Sequence, residues 1–439
     1  MQSSVGVLRG RAPHLLAKRW CSGATLANRD VIPTTHQSVY GVAHRCFTSS
    51  ALRRSHEDVA PAITQKKLFT PGPLGVSMST KEAMLYDLGS RDEAFIQTVQ
   101  CVRDELVDLS GESRDDYTCI PVQGSGTFAV EAALTTSIPR TRPNILVLVN
   151  GAYGHRIGEI ITALGISDCV KLSFPENVPM DLDVVERKII ELGHRLTNVA
   201  VVHCETSSGQ INPVEAIGQM VAKHASQASF FIDAMSSFGS VPFSLSSARC
   251  DFMVTSANKC LQGVPGFSLV LANLRALKRC GGNSRSLSLD LCKQYHGLQS
   301  NGQFRFTPPT HCILALHQAL KELREEGGIA GRRKRYQENS HLLRTRMAEL
   351  GFKELLENET EKSFIITSFR NPEHPNFDFK TFYSKLSERG MCIYPGKVTA
   401  AECFRIGTIG NLHPDDIRQL LAAIEEVTKE MDIALPLGS

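Results

Sequence analysis

Short apolar runs alternate with helical patterns between about residues 65 and 330. The runs are rich in β-branched and aromatic residues, and the segments between them repeat their apolar positions every three or four residues. Such alternation is typical of a parallel sheet covered by helices on both faces. The predicted strands are YTCIPV, NILVLVN, CVKLSF, NVAVVHC, SFFIDAM, CDFMVTSA and FSLVLAN. The sequence therefore predicts an α/β fold with a mostly parallel, seven-stranded sheet.

A smaller unit follows the glycine pair Gly327 and Gly328, where the helical pattern THCILALHQALKELREEGG ends. A long helical segment, GRRKRYQENSHLLRTRMAELG, then leads to the strand patterns SFIITSF, MCIYPGK and FRIGTIG. We expect a large domain over residues 65–328 and a small C-terminal α+β domain over residues 329–439.

The first 56 residues differ in composition from the rest of the chain. They contain eight arginines and lysines but one acid, Asp30, whereas the whole chain has a formal net charge of +3. A basic, serine-rich leader of this kind is typical of an organellar transit peptide. The stretch RCFTSSALRRS resembles a mitochondrial processing site, with Arg45 before the break and Phe47 and Ser50 after it. We expect cleavage and a location in the mitochondrial matrix. The alternative is a disordered tail that has no targeting function.

The remaining chain excludes several classes of function. Its charge is close to neutral, which gives no electrostatic reason to expect nucleic acid or an anionic membrane as partner. No apolar run approaches the roughly 20 residues that span a bilayer. The 13 cysteines form no CxxC pair and no Cys/His cluster, so neither a metal site nor a disulfide framework is indicated.

Polar residues follow the predicted strands at the sheet edge where ligands bind in open parallel sheets. After YTCIPV comes QGSGTFAVEAA, in which Ser125, Gly126 and Thr127 stand at the start of a predicted helix. Free amide hydrogens and the positive end of the helix dipole attract an anion there, so the segment predicts a phosphate cradle. Simple helix capping by the hydroxyl groups is the alternative.

Two further strand ends carry an aromatic ring and an acid. Tyr153, in GAYGHR after NILVLVN, could lie flat against a planar ligand or pack on a neighbouring helix. Asp233 follows Phe230, Phe231 and Ile232, and a carboxylate in such surroundings costs free energy unless a cation pairs with it. Helix capping is the alternative for Asp233.

Lys259 ends the apolar run CDFMVTSANK, one strand beyond Asp233. An isolated lysine there would extend to solvent or pair with an acid. A phosphate cradle, a flat aromatic ring, an acid and a buried lysine are together the set that binds pyridoxal 5′-phosphate. We therefore expect Lys259 to hold the cofactor covalently and move a proton, and Asp233 to keep the pyridine nitrogen protonated.

The same residues lie in motifs that resemble those of the fold-type I, class-V aminotransferases. These motifs are QGSGTFAVEA, NGAYGHR, HCETSSGQINP, IDAMSSFG, SANKCLQGVPGF, FRFTPPTH and FRIGTIG. The resemblance implies that Thr206 contacts the cofactor hydroxyl, that Asn258 contacts its phosphate and that Arg405 binds substrate. It also implies that Thr307 reaches the cofactor of a neighbouring subunit in a homodimer. A plain helix start is the alternative for Thr307, and a solvated strand edge for Arg405.

Within this family, the motifs are most similar to those of enzymes that transfer the amino group of 2-aminoethylphosphonate to pyruvate. The products are phosphonoacetaldehyde and L-alanine, and the route degrades a phosphonate. Because one arginine matches, we expect Arg405 to bind the pyruvate carboxylate in one half-reaction and the phosphonate in the other.

Three other functions compete with this expectation. An alanine–glyoxylate or serine–pyruvate aminotransferase shares the fold and cofactor. A cysteine desulfurase would need a cysteine on a mobile loop, whereas Cys392 and Cys403 lie in predicted strands and Cys260 is expected to be a packing residue. A scaffold without catalysis is disfavoured. Buried charged groups destabilise a core, so a protein that had lost its activity would tend to lose them, whereas Asp233, Lys259 and Arg405 are all present.

Overall fold

The computed structural model describes residues 64–359, 362–398 and 401–438. The predicted transit peptide, residues 1–56, lies outside these described residues. Among the described helices, none combines the length and the apolar character needed to cross a membrane.

The elements alternate between strands and helices over the first two thirds of the described chain. The strands are β1 (Lys67–Leu68), β2 (Tyr117–Gln123), β3 (Ile145–Val149), β4 (Cys169–Ser173), β5 (Asn198–Val202), β6 (Cys204–Glu205), β7 (Gln210–Ile211), β8 (Ser229–Asp233), β9 (Phe252–Ser256), β10 (Phe267–Asn273), β11 (Ile366–Arg370), β12 (Met391–Cys392), β13 (Tyr394–Pro395) and β14 (Cys403–Gly407). The α-helices are α1 (Met78–Glu82), α2 (Glu93–Leu109), α3 (Gly126–Ser137), α4 (Ala152–Ala163), α5 (Leu182–Leu192), α6 (Val214–His224), α7 (Leu274–Arg279), α8 (Leu291–Asn301), α9 (Thr310–Glu325), α10 (Gly328–Glu349), α11 (Phe379–Glu388) and α12 (Pro414–Glu430).

A seven-stranded sheet forms the centre of the larger part, in the order β2-β10-β9-β8-β5-β3-β4. Strand β10 runs antiparallel to both of its neighbours, and the other pairs in this sheet are parallel. Every residue of β3, β5, β8 and β9 is buried, as expected for strands covered on both faces. The predicted α/β fold with its seven-stranded, mostly parallel sheet is confirmed.

A second hydrophobic core lies in the C-terminal part of the chain. Its sheet has the order β11-β14-β13 and is antiparallel, and Phe404 of β14 stacks on Phe369 of β11 with 5.7 Å between ring centroids. Strand β1 pairs with β12, and Phe69 is buried in this second core. Residues 67–69 therefore pack with the C-terminal strands, although they lie within the range 65–328 predicted for the large domain. The predicted domain bounds, 65–328 and 329–439, stay a prediction.

The carboxyl ends of the parallel strands bring the predicted site residues to one edge of the main sheet. Strand β2 leads into Ser125, β3 into Tyr153 and β5 into Thr206. Asp233 is the last residue of β8, and Lys259 follows β9 by three positions. Because these strands are parallel neighbours or near neighbours, residues far apart in sequence meet in one place.

Candidate active site

A cavity of about 410 Å³ opens at this edge of the main sheet. Most of the predicted site residues line it, namely Ser125, Gly126, Thr127, Tyr153, Thr206, Asp233, Asn258 and Lys259. Two predicted residues, Arg405 and Thr307, are not among the residues that line the cavity. Strand-end residues in the sequence therefore located the cavity, whereas Arg405 and Thr307 lie outside its lining.

The phosphate cradle predicted at the start of α3 has the expected geometry. Ser125 occupies the N-cap position, yet its hydroxyl makes no capping hydrogen bond to the helix. The first amide hydrogens of a helix have no partner within the helix, so those of Gly126 and Thr127 are available to an anion in the cavity. A Cβ at Gly126 would contact the Met235 side chain, which would have to shift. Capping by Ser125, the alternative interpretation, is not observed.

Asp233 is buried at the cavity wall, where one carboxylate oxygen accepts a hydrogen bond of 2.9 Å from the Met235 amide. Burial raises the pKa of Asp233 from its ordinary value of 3.8 to about 6. The Met235 hydrogen bond and the positive charges of Lys259 and Arg156 oppose that rise, whereas the Glu205 carboxylate adds to it. The charged form is thus incompletely compensated by the protein itself.

Lys259 reaches into the same cavity and donates a hydrogen bond of 2.6 Å to the carbonyl oxygen of Pro71. Burial lowers the pKa of Lys259 below its ordinary 10.5, against the opposing effects of Tyr153 and Asp233. A lowered pKa increases the fraction of neutral amine, the form that can attack an aldehyde or accept a proton. Gly72 also lines the cavity and leaves room for the lysine, because a Cβ at this position would lie 2.5 Å from the Lys259 Nζ atom.

Tyr153 is surrounded by positive charges. The Lys397 Nζ atom lies 4.4 Å from the centroid of its ring, and the Arg156 Cζ atom lies 5.0 Å from it. Burial alone would raise the pKa of Tyr153, but the positive charges of Lys259 and Lys397 and a hydrogen bond with Thr206 lower it below 10.0. A negative group brought to this ring would meet a favourable potential.

Glu205 is a buried carboxylate that the sequence analysis did not single out. It accepts hydrogen bonds from the amides of Tyr153 and Gly154 at 3.1 and 3.2 Å, and from the Ser207 hydroxyl at 2.6 Å. These bonds hold the first turn of α4, and with it Tyr153, against the sheet. An acid inside the motif HCETSSG was the available signal for this role.

Arg405 lies on β14 and is buried beside the cavity rather than on a solvated strand edge. Its guanidinium donates hydrogen bonds to the carbonyl oxygens of Pro395 at 2.9 Å and Thr206 at 2.8 Å. Burial lowers the pKa of Arg405 below 12.5, against the opposing electrostatic effect of Tyr153. Arg405 therefore ties the second core to the cavity wall through Thr206.

Thr307 is exposed, and its carbonyl oxygen accepts a hydrogen bond from the Gln123 side chain. Helix α9 begins at Thr310, with Pro309 at its N-cap position. The alternative interpretation, in which Thr307 is the N-cap and Pro308 the first helical residue, is therefore wrong by two positions. The exposed fraction of the neighbouring Phe306 is 43%, so this segment presents an apolar ring to its surroundings.

One polar group near Lys259 was missed by the sequence analysis. Ser256, the last residue of β9, lines the cavity, and its buried Oγ atom has no hydrogen-bond partner among the described residues. A ligand in the cavity could satisfy this hydroxyl. Its position two residues before Asn258, in the same stretch TSANK, was the available signal.

The turn after Lys259 is held by buried hydrogen bonds from α10. Arg332 donates to the carbonyl oxygen of Cys260 at 2.7 Å and pairs with Glu326 at 2.6 Å. The Gln262 side chain donates to the Tyr336 hydroxyl at 2.6 Å, and the backbone of Gln262 has a positive φ of 59°. These contacts stabilise Gln262 in a left-handed backbone conformation, which few non-glycine residues adopt. They also fix the backbone that carries Lys259.

The cysteines near this site are structural. Cys260 is fully buried, and burial raises the pKa of its thiol to about 11. Cys392 and Cys403 lie in strands β12 and β14, as the sequence predicted. A thiol with a raised pKa is a poor nucleophile, so Cys260 fits the predicted packing role. Within the described residues, no cluster of His, Cys, Asp and Glu side chains could hold a metal ion.

An α/β fold with a lysine and an acid at adjacent strand ends defines a pyridoxal-phosphate-type transferase. A family model described as aminotransferase class-V matches residues 92–413. That match covers well over half of the chain, so the chain belongs to the class-V aminotransferase family.

Particular relatives are similar over nearly their whole length. The 2-aminoethylphosphonate–pyruvate transaminase of Vibrio vulnificus (strain CMCP6) is 46% identical over 361 residues, which cover 82% of this chain and 96% of that protein. The protein of the same name from Syntrophobacter fumaroxidans (strain DSM 10017 / MPOB) is 47% identical over 360 residues, covering 82% and 95%. The solved alanine–glyoxylate aminotransferase of Nostoc sp. is 25% identical with a TM-score of 0.76, covering 83% of this chain and 96% of that one.

The cofactor of this family, pyridoxal 5′-phosphate, fits the groups in the cavity. Its phosphate requires hydrogen-bond donors, which the amides of Gly126 and Thr127 provide. Its basic ring nitrogen requires an acid, and Asp233 is a buried carboxylate short of a cation. Its aldehyde requires an amine, and Lys259 has a lowered pKa. The unpartnered Ser256 hydroxyl is a further polar group that a ligand could satisfy.

The raised pKa of Asp233 makes a prediction about the cofactor-free protein. Each pKa unit corresponds to about 1.4 kcal/mol, so a charged Asp233 costs the unliganded fold about 3 kcal/mol. An acid with a raised folded-state pKa destabilises the fold as pH rises from its unfolded value of 3.8 to its folded value of about 6. Asp233→Asn should therefore stabilise the cofactor-free protein most above this window.

Urea unfolding of the cofactor-free wild type and Asp233→Asn, over a pH series that crosses this window, measures the effect. The stability gain of the variant should shrink as pH falls through the window. The exposed Asp115, changed to Asn, is the matched control and should show a much weaker pH dependence. A stability difference between Asp233→Asn and wild type that is the same at every pH would contradict the argument.

Proposed function

We propose that this protein transfers the amino group of 2-aminoethylphosphonate to pyruvate, giving phosphonoacetaldehyde and L-alanine. The observation that carries the proposal is the 46–47% identity to transaminases of that name over 95–96% of their length. The solved alanine–glyoxylate enzyme is 25% identical and supports a common fold. The same cavity residues would serve either reaction, so the choice of substrate rests on the more similar relatives.

The cofactor would lie between two strand ends and the start of α3. Ser125, Gly126, Thr127 and Asn258 would hold its phosphate, and Thr206 would contact its ring hydroxyl. Tyr153 would cover one face of the ring. The availability of the Ser125 hydroxyl and of the α3 amides supports this placement.

Bound pyridoxal phosphate supplies an electron sink for the C–H bond that breaks beside the substrate nitrogen. Asp233 would keep the ring nitrogen protonated, and that cation would relieve the burial cost of the carboxylate. Lys259 would bind the cofactor covalently between turnovers. When the donor takes its place, the neutral Lys259 amine would carry a proton from the substrate carbon to the cofactor.

Arg405 would bind the anionic end of each substrate. Its two backbone hydrogen bonds use Nε and Nη1, so the guanidinium keeps further N–H groups for a carboxylate or a phosphonate. The hydrogen bond of Arg405 to the carbonyl oxygen of Thr206, which lines the cavity, would place that anion near the cofactor. Binding of pyruvate and of the phosphonate at Arg405 in alternate half-reactions remains part of the proposal.

A donor and acceptor screen of the purified, cofactor-loaded protein tests this function. We expect 2-aminoethylphosphonate with pyruvate to give L-alanine and phosphonoacetaldehyde, with kcat/KM at least about 100-fold above that for alanine with glyoxylate or serine with pyruvate. The Lys259→Ala variant should bind the cofactor without turnover. No product from 2-aminoethylphosphonate, together with good turnover of alanine and glyoxylate, would identify the alternative enzyme.

A homodimer would complete the site through Thr307. Thr307 is exposed in the single chain, and it is flanked by the exposed ring of Phe306. Phe128, in the first turn of α3, has an exposed fraction of 50%. Two exposed aromatic rings close to a ligand-binding helix start favour coverage by a second copy, whose Thr307 would reach the cofactor phosphate.

Mixing two defective variants at limiting cofactor concentration tests the contribution of Thr307 across the dimer. Thr307→Val should weaken cofactor binding, and Lys259→Ala lacks the amine. In a mixed dimer, one site has Lys259 from the first chain and Thr307 from the second, so activity should return to about half that of a wild-type dimer. Mixed dimers that form, as shown by native mass spectrometry, but stay inactive would contradict the contact.

The proposed location is the mitochondrial matrix, on the strength of the basic, acid-poor composition of residues 1–56. Import into isolated mitochondria, with a shortened product protected from added protease, is the corresponding measurement. A full-length product that remains accessible to protease would exclude this location.

A further inference from the structure

The two negative charges on the phosphonate group of 2-aminoethylphosphonate are more than one arginine can neutralise. A phosphonate, like a phosphate monoester, approaches a charge of about −2 above its second ionisation, whereas the pyruvate carboxylate carries one negative charge. Arg405 can neutralise one of the two phosphonate charges. A partly buried anion that keeps an uncompensated charge is costly, so a second cation is required near Arg405.

Lys397 occupies the position that this requirement predicts. It lies in the connection between β13 and β14, two residues beyond β13, while Arg405 is on β14 opposite Tyr394. Gly396 lets the two strands approach, since a Cβ there would collide with the backbone of Cys403. The same hairpin therefore carries both Lys397 and Arg405.

Both cations converge on Tyr153, which lines the cavity. The Lys397 Nζ atom lies 4.4 Å from the centroid of the Tyr153 ring, and Arg405 interacts electrostatically with the same tyrosine. No ion pair between Lys397 and a carboxylate is formed among the described residues, unlike many surface lysines of this chain. No carboxylate of the described residues therefore competes with a ligand for Lys397.

Arg156 is a less suitable second cation. Its Cζ atom is also near the Tyr153 ring, at 5.0 Å, but Arg156 is on α4 and acts electrostatically on Asp233. Arg156 therefore already acts on the Asp233 carboxylate, whereas Lys397 and Arg405 come from the same hairpin. The choice between the two cations therefore favours Lys397.

We propose that Lys397 is the specificity-determining residue that, together with Arg405, binds the phosphonate dianion and thereby favours 2-aminoethylphosphonate over amino acids with a carboxylate in its place. This inference rests on the proposed function, and it assigns unequal roles to the two cations. Arg405 serves both substrates, whereas Lys397 serves the phosphonate. The compact ammonium of a lysine suits a tetrahedral oxyanion as a point charge, without the planar fork that a carboxylate exploits.

Single-turnover absorbance measurements on the cofactor-loaded enzyme test the two half-reactions separately. With 2-aminoethylphosphonate, Lys397→Met should weaken apparent binding by about 10- to 100-fold, a factor of ten being about 1.4 kcal/mol. With L-alanine, the same variant should stay within about threefold of wild type. Lys397→Arg should retain most of the affinity for the phosphonate, whereas Arg405→Met should weaken both donors.

The exposed Lys380 on α11, changed to Met, is the matched control for the loss of one positive charge. It should leave both half-reactions unchanged. Equal weakening of both donors in Lys397→Met, or no weakening of either, would overturn the inference.

A non-reacting probe separates this inference from the proposed function. Ethylphosphonate and propionate differ in their anionic group, and each is tested as an inhibitor of the L-alanine half-reaction above the second ionisation of the phosphonate. We expect ethylphosphonate to bind the wild type more tightly than propionate, and Lys397→Met to abolish that difference. If 2-aminoethylphosphonate is not a donor but this pattern holds, the proposed function fails and the anion site stands. If ethylphosphonate binds no better than propionate, the anion site fails.

Discussion

One electrostatic constraint organises this molecule: a carboxylate is buried at the end of a central strand without enough positive charge around it. Asp233 has one amide hydrogen bond and the distant help of Lys259 and Arg156, yet its pKa is still raised to about 6. A protein interior tolerates such a group when a bound cation completes it. A protonated pyridine nitrogen is such a cation, so a bound cofactor would relieve the burial cost of Asp233.

The rest of the fold serves to hold Asp233 and Lys259 in the same cavity. Parallel strands β8 and β9 end side by side, and the turn after β9 returns the lysine towards the cavity. The hydrogen bond from Arg332 to the carbonyl of Cys260 and the contact of Gln262 with Tyr336 fix that turn from α10. The second core reaches the cavity from another side, through Arg405. In the proposed function, cofactor chemistry and substrate binding would therefore fall to different parts of the chain.

The sequence predicted what depends on local pattern. Strand periodicity located all seven strands of the main sheet, and residues at strand ends located the cavity, because parallel strands must finish at a common edge. Helix α2 was not predicted, although its buried residues Phe95, Val99, Val102 and Leu106 follow a helical spacing. The pattern was present and was overlooked.

Contacts between distant segments could not be predicted in the same way. Glu205 holds the start of α4 and Arg332 holds a carbonyl near Lys259, and neither pairing follows from spacing along the chain. The pairing of β1 with β12 joins residues more than 300 positions apart, so periodicity could not assign residues 67–69 to the second core. The contact of Lys397 with Tyr153 is of the same kind, because it depends on how the hairpin packs beside the cavity.

The ionisation state of the bound cofactor tests the central claim most directly. Nuclear magnetic resonance of protein loaded with cofactor labelled with ¹⁵N in the ring reports whether that nitrogen carries a proton. With wild-type protein at a pH above the ordinary ionisation of the ring, the chemical shift should be that of a protonated nitrogen, and with Asp233→Asn it should be that of a neutral one. A neutral ring nitrogen in the wild type, or the same shift in both proteins, would contradict the account.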